Sequence, residues 1–400
     1  MKRISHTLLA TAVCLAGCAP KEPAPFPVYS KAEKPYVPSP ESRNAYDAYV
    51  LAAKRAAELV PETERRRNYT AGFKLKTVTT LGPVLDSVSR ATNSDCEFHY
   101  EARSPFAGTT TGKDWFLIGR AIAWHVESLL ESGEAEKAVD WTLVGVRFGC
   151  DLSKGDVEDC TVGYSIVELV REAAHSRPDA LNPARLSRLS DGITAALARA
   201  GDAEAVLDNQ EKAMLAAVQS VQDMYKAHDT SKLEALLYKD SRDAVAYLKN
   251  LKEADRPGYF DGFASEAKSV AHYCLMESKK TASQRIALAY PDKQSRPWKR
   301  FSQHFFAPAI AYLDMHDRFL AMTRLWAVDS RCRAAALRGK APESIADLGP
   351  VALDPYSGKN FVYYAAGADF KVYSVGKDGR DDGGHSDDGY QPDMVPLGKL

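Results

Sequence analysis

The feature that most constrains this chain is a helical hydrophobic period running from about residue 42 to residue 338. Apolar residues recur there every three to four positions, which places them on one stripe of an α-helix and gives each helix a face to bury. Trp115 to Leu130 shows the pattern clearly: Ile118, Ile122, His125 and Leu129 share a stripe, and Gly133 is placed to end the helix as a C-cap. A second helix opens at Glu134 and runs to Phe148, with Ala138, Val139, Leu143 and Val146 inward. Further helices are expected over about 162–175, 183–199, 202–228, 230–251, 262–282 and 308–338, punctuated by Pro178, Pro183, Pro257 and Pro291. Two similar helix starts, Gly133-Glu134-Ala135-Glu136 and Gly201-Asp202-Ala203-Glu204, lie 68 residues apart (133 to 201). That is about twice the length of a 34-residue helix pair, but no matching copy sits midway near residue 167. The expectation is therefore antiparallel helix pairs, solenoid-like in arrangement, without a regular repeat.

After residue 338 the texture changes. Asp354-Pro355-Tyr356-Ser357-Gly358-Lys359 is dense in turn formers. Phe361-Val362-Tyr363-Tyr364 and Phe370-Lys371-Val372-Tyr373-Ser374-Val375 are aromatic and β-branched, and the loop between them holds Ala366-Gly367-Ala368-Asp369. These are hairpin signals. An isolated hairpin is marginal in water, so this one is expected to pack on the helix at 308–338. The fold class read from the sequence is α+β: mainly helical, with a small C-terminal unit of long helix plus hairpin over 306–400 and a helical domain over 42–305.

The N-terminus is of another kind. Lys2 and Arg3 precede the apolar run Leu8 to Leu15, which is too short to span a bilayer, and Leu15-Ala16-Gly17-Cys18 follows. This segment resembles the signal peptide and lipobox of bacterial lipoproteins. The resemblance implies cleavage of residues 1–17, lipidation of Cys18 and a membrane partner reached through the lipid. Ala19, where an Asp would be the alternative, is similar to the sorting signal for the outer membrane, so the folded body is expected in the cell envelope facing the periplasm. Residues 18–41 read as a tether: Pro20, Pro23, Pro25, Pro27, Pro35, Pro38 and Pro40 prevent helix and favour extended geometry at about 3 Å per residue.

Losing Lys2 and Arg3 with the leader takes 52 basic residues to 50, against 53 acidic. That balance argues against a nucleic-acid partner, which would require a basic face. Of seven cysteines, Cys96, Cys150, Cys160, Cys274 and Cys332 remain once Cys14 is removed and Cys18 acylated. Disulfides persist outside the cytoplasm, and Cys150 and Cys160, flanking a polar loop, are the expected pair; the alternative is two unrelated buried thiols.

The tail carries a second resemblance. Ala341-Pro342-Glu343-Ser344, then Asp354-Pro355-Tyr356-Ser357-Gly358-Lys359-Asn360-Phe361-Val362-Tyr363, then Tyr373-Ser374-Val375-Gly376-Lys377-Asp378-Gly379 follow one another after a long helix. In that order they resemble the globular end of the major pseudopilin of type II secretion systems, over about residues 310–390. Residues 42–338 are similar to the helical region that precedes such a tail in longer proteins of planctomycete type. The pseudopilin loop binds calcium, and by that pattern Asp378 and the pair Asp387 and Asp388 match side-chain ligands, with the Val375 carbonyl as a backbone ligand and Asp382 beside them. The residue types suit the ion: Ca²⁺ takes six to eight oxygens, the loop is rich in carboxylates, and its glycines let the backbone fold tightly. It is not an EF-hand, because Arg380 and Gly389 occupy positions three and twelve counted from Asp378. A pseudopilin begins with a membrane helix that builds the filament. This chain has a lipobox and a proline tether instead, so a filament role is not expected.

No catalytic motif emerges. Gly108 to Asp114 imitates a phosphate loop, but has three residues between its glycines and Asp114 where Ser or Thr would hold magnesium. The histidines form no metalloprotease pair, and Gly163-Tyr164-Ser165-Ile166-Val167 lacks the last glycine of a nucleophile elbow. The functional expectation is a non-enzymatic scaffold or protein-interaction module with a calcium-stabilised tail and a protein partner. Two alternatives are an envelope enzyme whose site is assembled across helices and an accessory of a type II secretion or pilus-like system.

Overall fold

A computed structural model describes residues 26–30, 36–65, 70–100, 110–229, 231–236, 242–285, 297–384 and 393–396. Among these residues lie eleven α-helices and one two-stranded antiparallel sheet, so the chain is α+β and mainly α. The first helices are α1 (Ala45–Leu59), α2 (Ala71–Ala91), α3 (Thr110–Glu131), α4 (Ala135–Leu152) and α5 (Val157–His175). Then come α6 (Pro183–Leu197), α7 (Ala203–Lys226), α8 (Ser231–Leu236), α9 (Arg242–Lys249), α10 (Arg256–Ser278) and α11 (Lys299–Ala336). The hairpin of β1 (Val362–Ala366) and β2 (Asp369–Tyr373) closes the order.

The local signals account for many of the boundaries. Gly133 has φ of 81° and ends α3, with the Glu134 N–H reaching back to the Leu129 carbonyl at 2.8 Å in the manner of a Schellman motif. Asn44, Thr70, Asp156, Asn182 and Asp202 cap their helices through side-chain oxygens. The stripe read on α3 is inward: Ile118 and Ile122 are wholly buried, Leu129 nearly so, and His125 is half-buried, edge-on to Trp141 at 5.0 Å.

The helices stack as successive pairs up to α6 and then close against the long last helix. Stacked pairs touch only their neighbours, and α1 to α6 keep to that pattern, α3 packing on α4 and α5 and α4 on α5 and α6; α11 departs from it by touching α5, α6 and α7 as well as α10. Three aromatic anchors fill the interior: Trp115, its indole N–H on the Tyr49 carbonyl at 3.0 Å, Trp326, and Phe148 against Tyr49. Where α4 crosses α5, backbone approaches backbone directly. A Cβ on Gly163 would stand 2.3 Å from the Gly149 carbonyl oxygen, and one on Gly149 2.5 Å from the Gly163 carbonyl oxygen.

The long helix starts at Lys299, before the expected 308, and carries Pro308 inside it. Its chain therefore runs across the boundary drawn at 305/306. The hairpin pairs Val362 with Tyr373 through Ala366 with Asp369. Gly367, φ 69°, sits at the first position of the two-residue turn, which accepts positive φ there in a type II′ turn. β2 and the 3₁₀ segment Ala346–Ala352 rest on α11. The proline-rich segment has no helix among its described residues before Ala45, yet its aromatic side chains are seated on the body. Tyr36 stacks on His99 at 4.5 Å and donates its hydroxyl to Asp47.

Candidate functional site

The Asp/Gly loop leaves β2 through Ser374 and returns at Met394, where Ser374 and Met394 exchange two backbone hydrogen bonds of 3.0 Å. Between them Gly376, Gly379, Gly383 and Gly384 have φ of 66°, 70°, 73° and 73°, conformations that cost other residues strain. Two buried carboxylates hold this closure. Asp354, 1% exposed, accepts from the Tyr356 N–H at 3.0 Å, the Ser374 hydroxyl at 2.9 Å and the Val375 N–H at 3.2 Å. Burial pushes its pKa up, and those three donors oppose the rise. Asp393, also 1% exposed, accepts at Oδ2 from the N–H groups of Asp382 at 3.0 Å and Gly384 at 2.7 Å. Its Oδ1 is buried with no hydrogen-bond partner, and burial raises its pKa as well. A buried carboxylate oxygen without a donor is a costly arrangement.

Of the expected calcium ligands, Asp378 is exposed and accepts from the Arg380 N–H at 3.0 Å, a bond within its own turn. Val375 is buried and gives its N–H to Asp354; Asp382 is engaged through its backbone N–H by Asp393. Asp387, Asp388 and the lipidation residue Cys18 lie outside the described residues. Among the described residues no three His, Cys, Asp or Glu side chains converge as metal ligands. Asp381, a further carboxylate of the loop, accepts from the Tyr373 hydroxyl at 2.7 Å and the Gly383 N–H at 3.0 Å. Asp393 escaped the sequence reading because it stands beyond the Asp/Gly run, and Asp354 because its Asp-Pro setting reads as a turn. The signal for both would have been an Asp flanking a strand pair, positioned to cap it.

The loop is braced from the helical side. Lys377 pairs with Asp314 on α11, and the Ser283 N–H reaches the Tyr356 carbonyl at 3.3 Å. Arg285 forms a buried pair with Asp317 and also donates to the carbonyls of Glu277 at 3.0 Å and Lys280 at 3.1 Å. Asp317 is nevertheless pushed up to about 6, because burial outweighs the arginine.

The expected Cys150–Cys160 crosslink is corrected: both are free, buried thiols. Cys150 closes the last turns of α4, and Cys160 opens α5 with its Sγ directed at the Ser153 carbonyl, 3.1 Å away. Helix ends and their caps, in place of a disulfide, shape the loop between them. Burial holds the Cys160 thiol well above its ordinary pKa, which leaves it a poor nucleophile. Cys96, Cys274 and Cys332 are likewise free and buried.

Of the imitation phosphate loop, the described residues Thr110 to Asp114 begin a helix. Gly112 lies within α3, and Asp114 is ion-paired to Arg65 at 2.6 Å. A cavity of about 470 Å³ opens between α5, α7 and α11, lined among others by Asp156, Glu158, Asp159, Gln210 and His304. Asp156 and Asp159 are committed there to the capping box of α5, and the Tyr100 hydroxyl adds a bond to Asp156 at 3.1 Å. Burial lowers the pKa of His304. On α11, His316 accepts or donates at Nδ1 to the Tyr164 hydroxyl at 2.7 Å, and burial pushes it down to about 4.

Compared with known proteins, the chain matches no protein-family model, no curated sequence and no solved structure.

Proposed function

We propose that this chain is a lipid-anchored lipoprotein of the cell envelope, its helical body a non-enzymatic scaffold or protein-interaction module and its tail a calcium-stabilised cap. Leu15-Ala16-Gly17-Cys18 supports the anchor, and Ala19 supports the outer membrane with the body facing the periplasm. The single observation that carries the tail is Asp393: a carboxylate oxygen buried without a donor, within a loop of further carboxylates and positive-φ glycines. A cation would satisfy that oxygen and relieve the repulsion of neighbouring acids. Asp378, Asp382, Asp387, Asp388 and the Val375 carbonyl are the remaining oxygens proposed to hold it.

The test is a thermal melt of the full chain with calcium and with chelator. At a hundredfold excess over Kd a ligand adds about 2.7 kcal/mol to the folded state, so the tail should melt several degrees higher in calcium; an unchanged melting point removes the ion from this reading. Replacing Cys18→Ala should release the protein from the membrane fraction. A second reading, an envelope enzyme, draws on the 470 Å³ cavity and the exposed His304 on its rim. Crosslinking in cells separates the two: a recovered protein partner supports the scaffold, and recovery of none favours the enzyme.

A further inference from the structure

The proline-rich segment is docked, and at one particular end of the body. The Phe26 ring lies between the Lys226 ammonium, 4.6 Å from its centroid, and the Arg256 guanidinium at 4.9 Å, with Tyr225 edge-on at 6.2 Å. Cations over an aromatic face are attracted by its quadrupole. Three residues on, the Tyr29 N–H donates to the Gln219 side-chain oxygen at 2.9 Å and the Tyr29 hydroxyl to Asp261 at 2.7 Å. Pro25 and Pro27 flank Phe26 and narrow the conformations the free segment would otherwise sample, so docking costs less chain entropy. All these partners belong to the C-terminal part of α7 or the N-terminal part of α10.

We infer that this strap shortens the tether and holds the end of the body built from the last turns of α7 and the first turns of α10 toward a lipid bilayer. The inference rests on the reading of Cys18 as the lipid anchor. Cys18 to Phe26 is eight residues, which span at most about 28 Å at roughly 3.5 Å each. A tether free up to Ser42, twenty-four residues from Cys18, would reach about 84 Å on the same scale and fix no orientation. The opposite end of α10 leads to Ser283, which touches the tail through Tyr356. A helix of 23 residues is about 34 Å long at 1.5 Å per residue. The strap end and the Asp/Gly loop thus lie at opposite ends of one rigid helix, and a body held at the strap presents the loop away from the membrane.

The experiment places a donor fluorophore on a single introduced cysteine in the full lipidated chain, in phosphatidylcholine–phosphatidylglycerol vesicles carrying a lipid acceptor dye. The native thiols among the described residues are buried, so a surface cysteine is labelled selectively. Lys252→Cys, exposed just before α10, reports the strap end; Lys279→Cys, exposed just after it, reports the tail end. Energy transfer should be several-fold stronger from position 252. Phe26→Ala combined with Tyr29→Ala should collapse that difference while leaving the helical circular dichroism unchanged. Inserting ten Gly/Ser residues between Cys18 and Pro25, which alters nothing in the body, should weaken transfer from position 252. Equal transfer from both positions, in a protein that floats with the vesicles, overturns the orientation alone. A protein that does not float overturns the anchor and the orientation with it.

Discussion

Where α4 crosses α5, backbone meets backbone at Gly149 and Gly163; where the tail closes beside α11, the contact is made by Asp354 and Asp393, each 1% exposed. The first contact depends on shape alone. Its stabilisation comes from apolar area removed from water, about 25 cal/mol per Å², and neither salt nor a divalent ion alters it much. The second depends on donors being present for every buried oxygen, and it leaves Asp393 Oδ1 without one. A region assembled in the second way has a stability set partly by conditions: proton concentration, and the proposed cation.

The largest effect should therefore come from the backbone-to-backbone crossing of α4 and α5. Gly163→Val would drive a side chain into the Gly149 carbonyl, an atom of another helix's backbone that cannot swing aside. Overpacking typically costs about 1–3 kcal/mol, and a clash with backbone should fall at the upper end, read as a lower urea midpoint with or without calcium. A loss under about 1 kcal/mol would mean that α4 and α5 separate easily and that the body is less close-packed than its glycines indicate.

The body has condition-dependent groups of its own. His316, between Tyr164 and Tyr312, is pushed down to about 4 by burial, and His175 likewise to about 4. Folding favours the neutral imidazole, so their contribution is whole above the ordinary histidine pKa near 6.5 and is lost as pH falls from there through about 4. Asp317 and Asp329, both pushed up to about 6, act in the opposite sense: their contribution is whole below 3.8 and is lost as pH rises through about 6. His316→Phe removes one histidine from this balance. It should cost about 1 kcal/mol at pH 7 through the lost bond to Tyr164, and that deficit should shrink or reverse at pH 4.5. A deficit independent of pH would show that His316 ionises freely in the folded protein.

What the sequence disclosed follows the same division. Helices α4, α6 and α7 were legible because apolar stripes and the starts at Glu134, Pro183 and Asp202 agree on where each begins, whereas α3 and α5 open at Thr110 and Val157, each five residues before the start read from its stripe. Proline misled where it was taken to mark a boundary: Pro308 lies inside α11, and Pro257 sits in the first turn of α10, where a missing N–H is no loss. The hairpin was visible from its β-branched and aromatic runs. The return of the long helix onto the earlier ones was not legible from sequence, since α11 meets α5, α6 and α7 through contacts that no local period encodes. The site was the least legible part. An Asp in a run of Asp and Gly announces itself, whereas Asp354 and Asp393 gain their importance only when the chain returns and buries them.

The smallest expected change is also the one that most sharpens the contrast. In chelator, Asp393→Asn should shift stability by less than about 0.5 kcal/mol: an asparagine carbonyl can accept the same two N–H groups, from Asp382 and Gly384. Loss of the charge removes a burial cost, consistent with the raised pKa at this position. In calcium the variant should fail to gain the several degrees proposed for the native chain, because an amide offers the ion one oxygen and no charge. Calcium melts of the two proteins, compared with their chelator melts, therefore give a double difference that a purely structural Asp393 would leave at zero. A native-like calcium shift in the asparagine variant would take Asp393 out of the proposed ligand set and leave the tail, like the body, held by packing and internal hydrogen bonds.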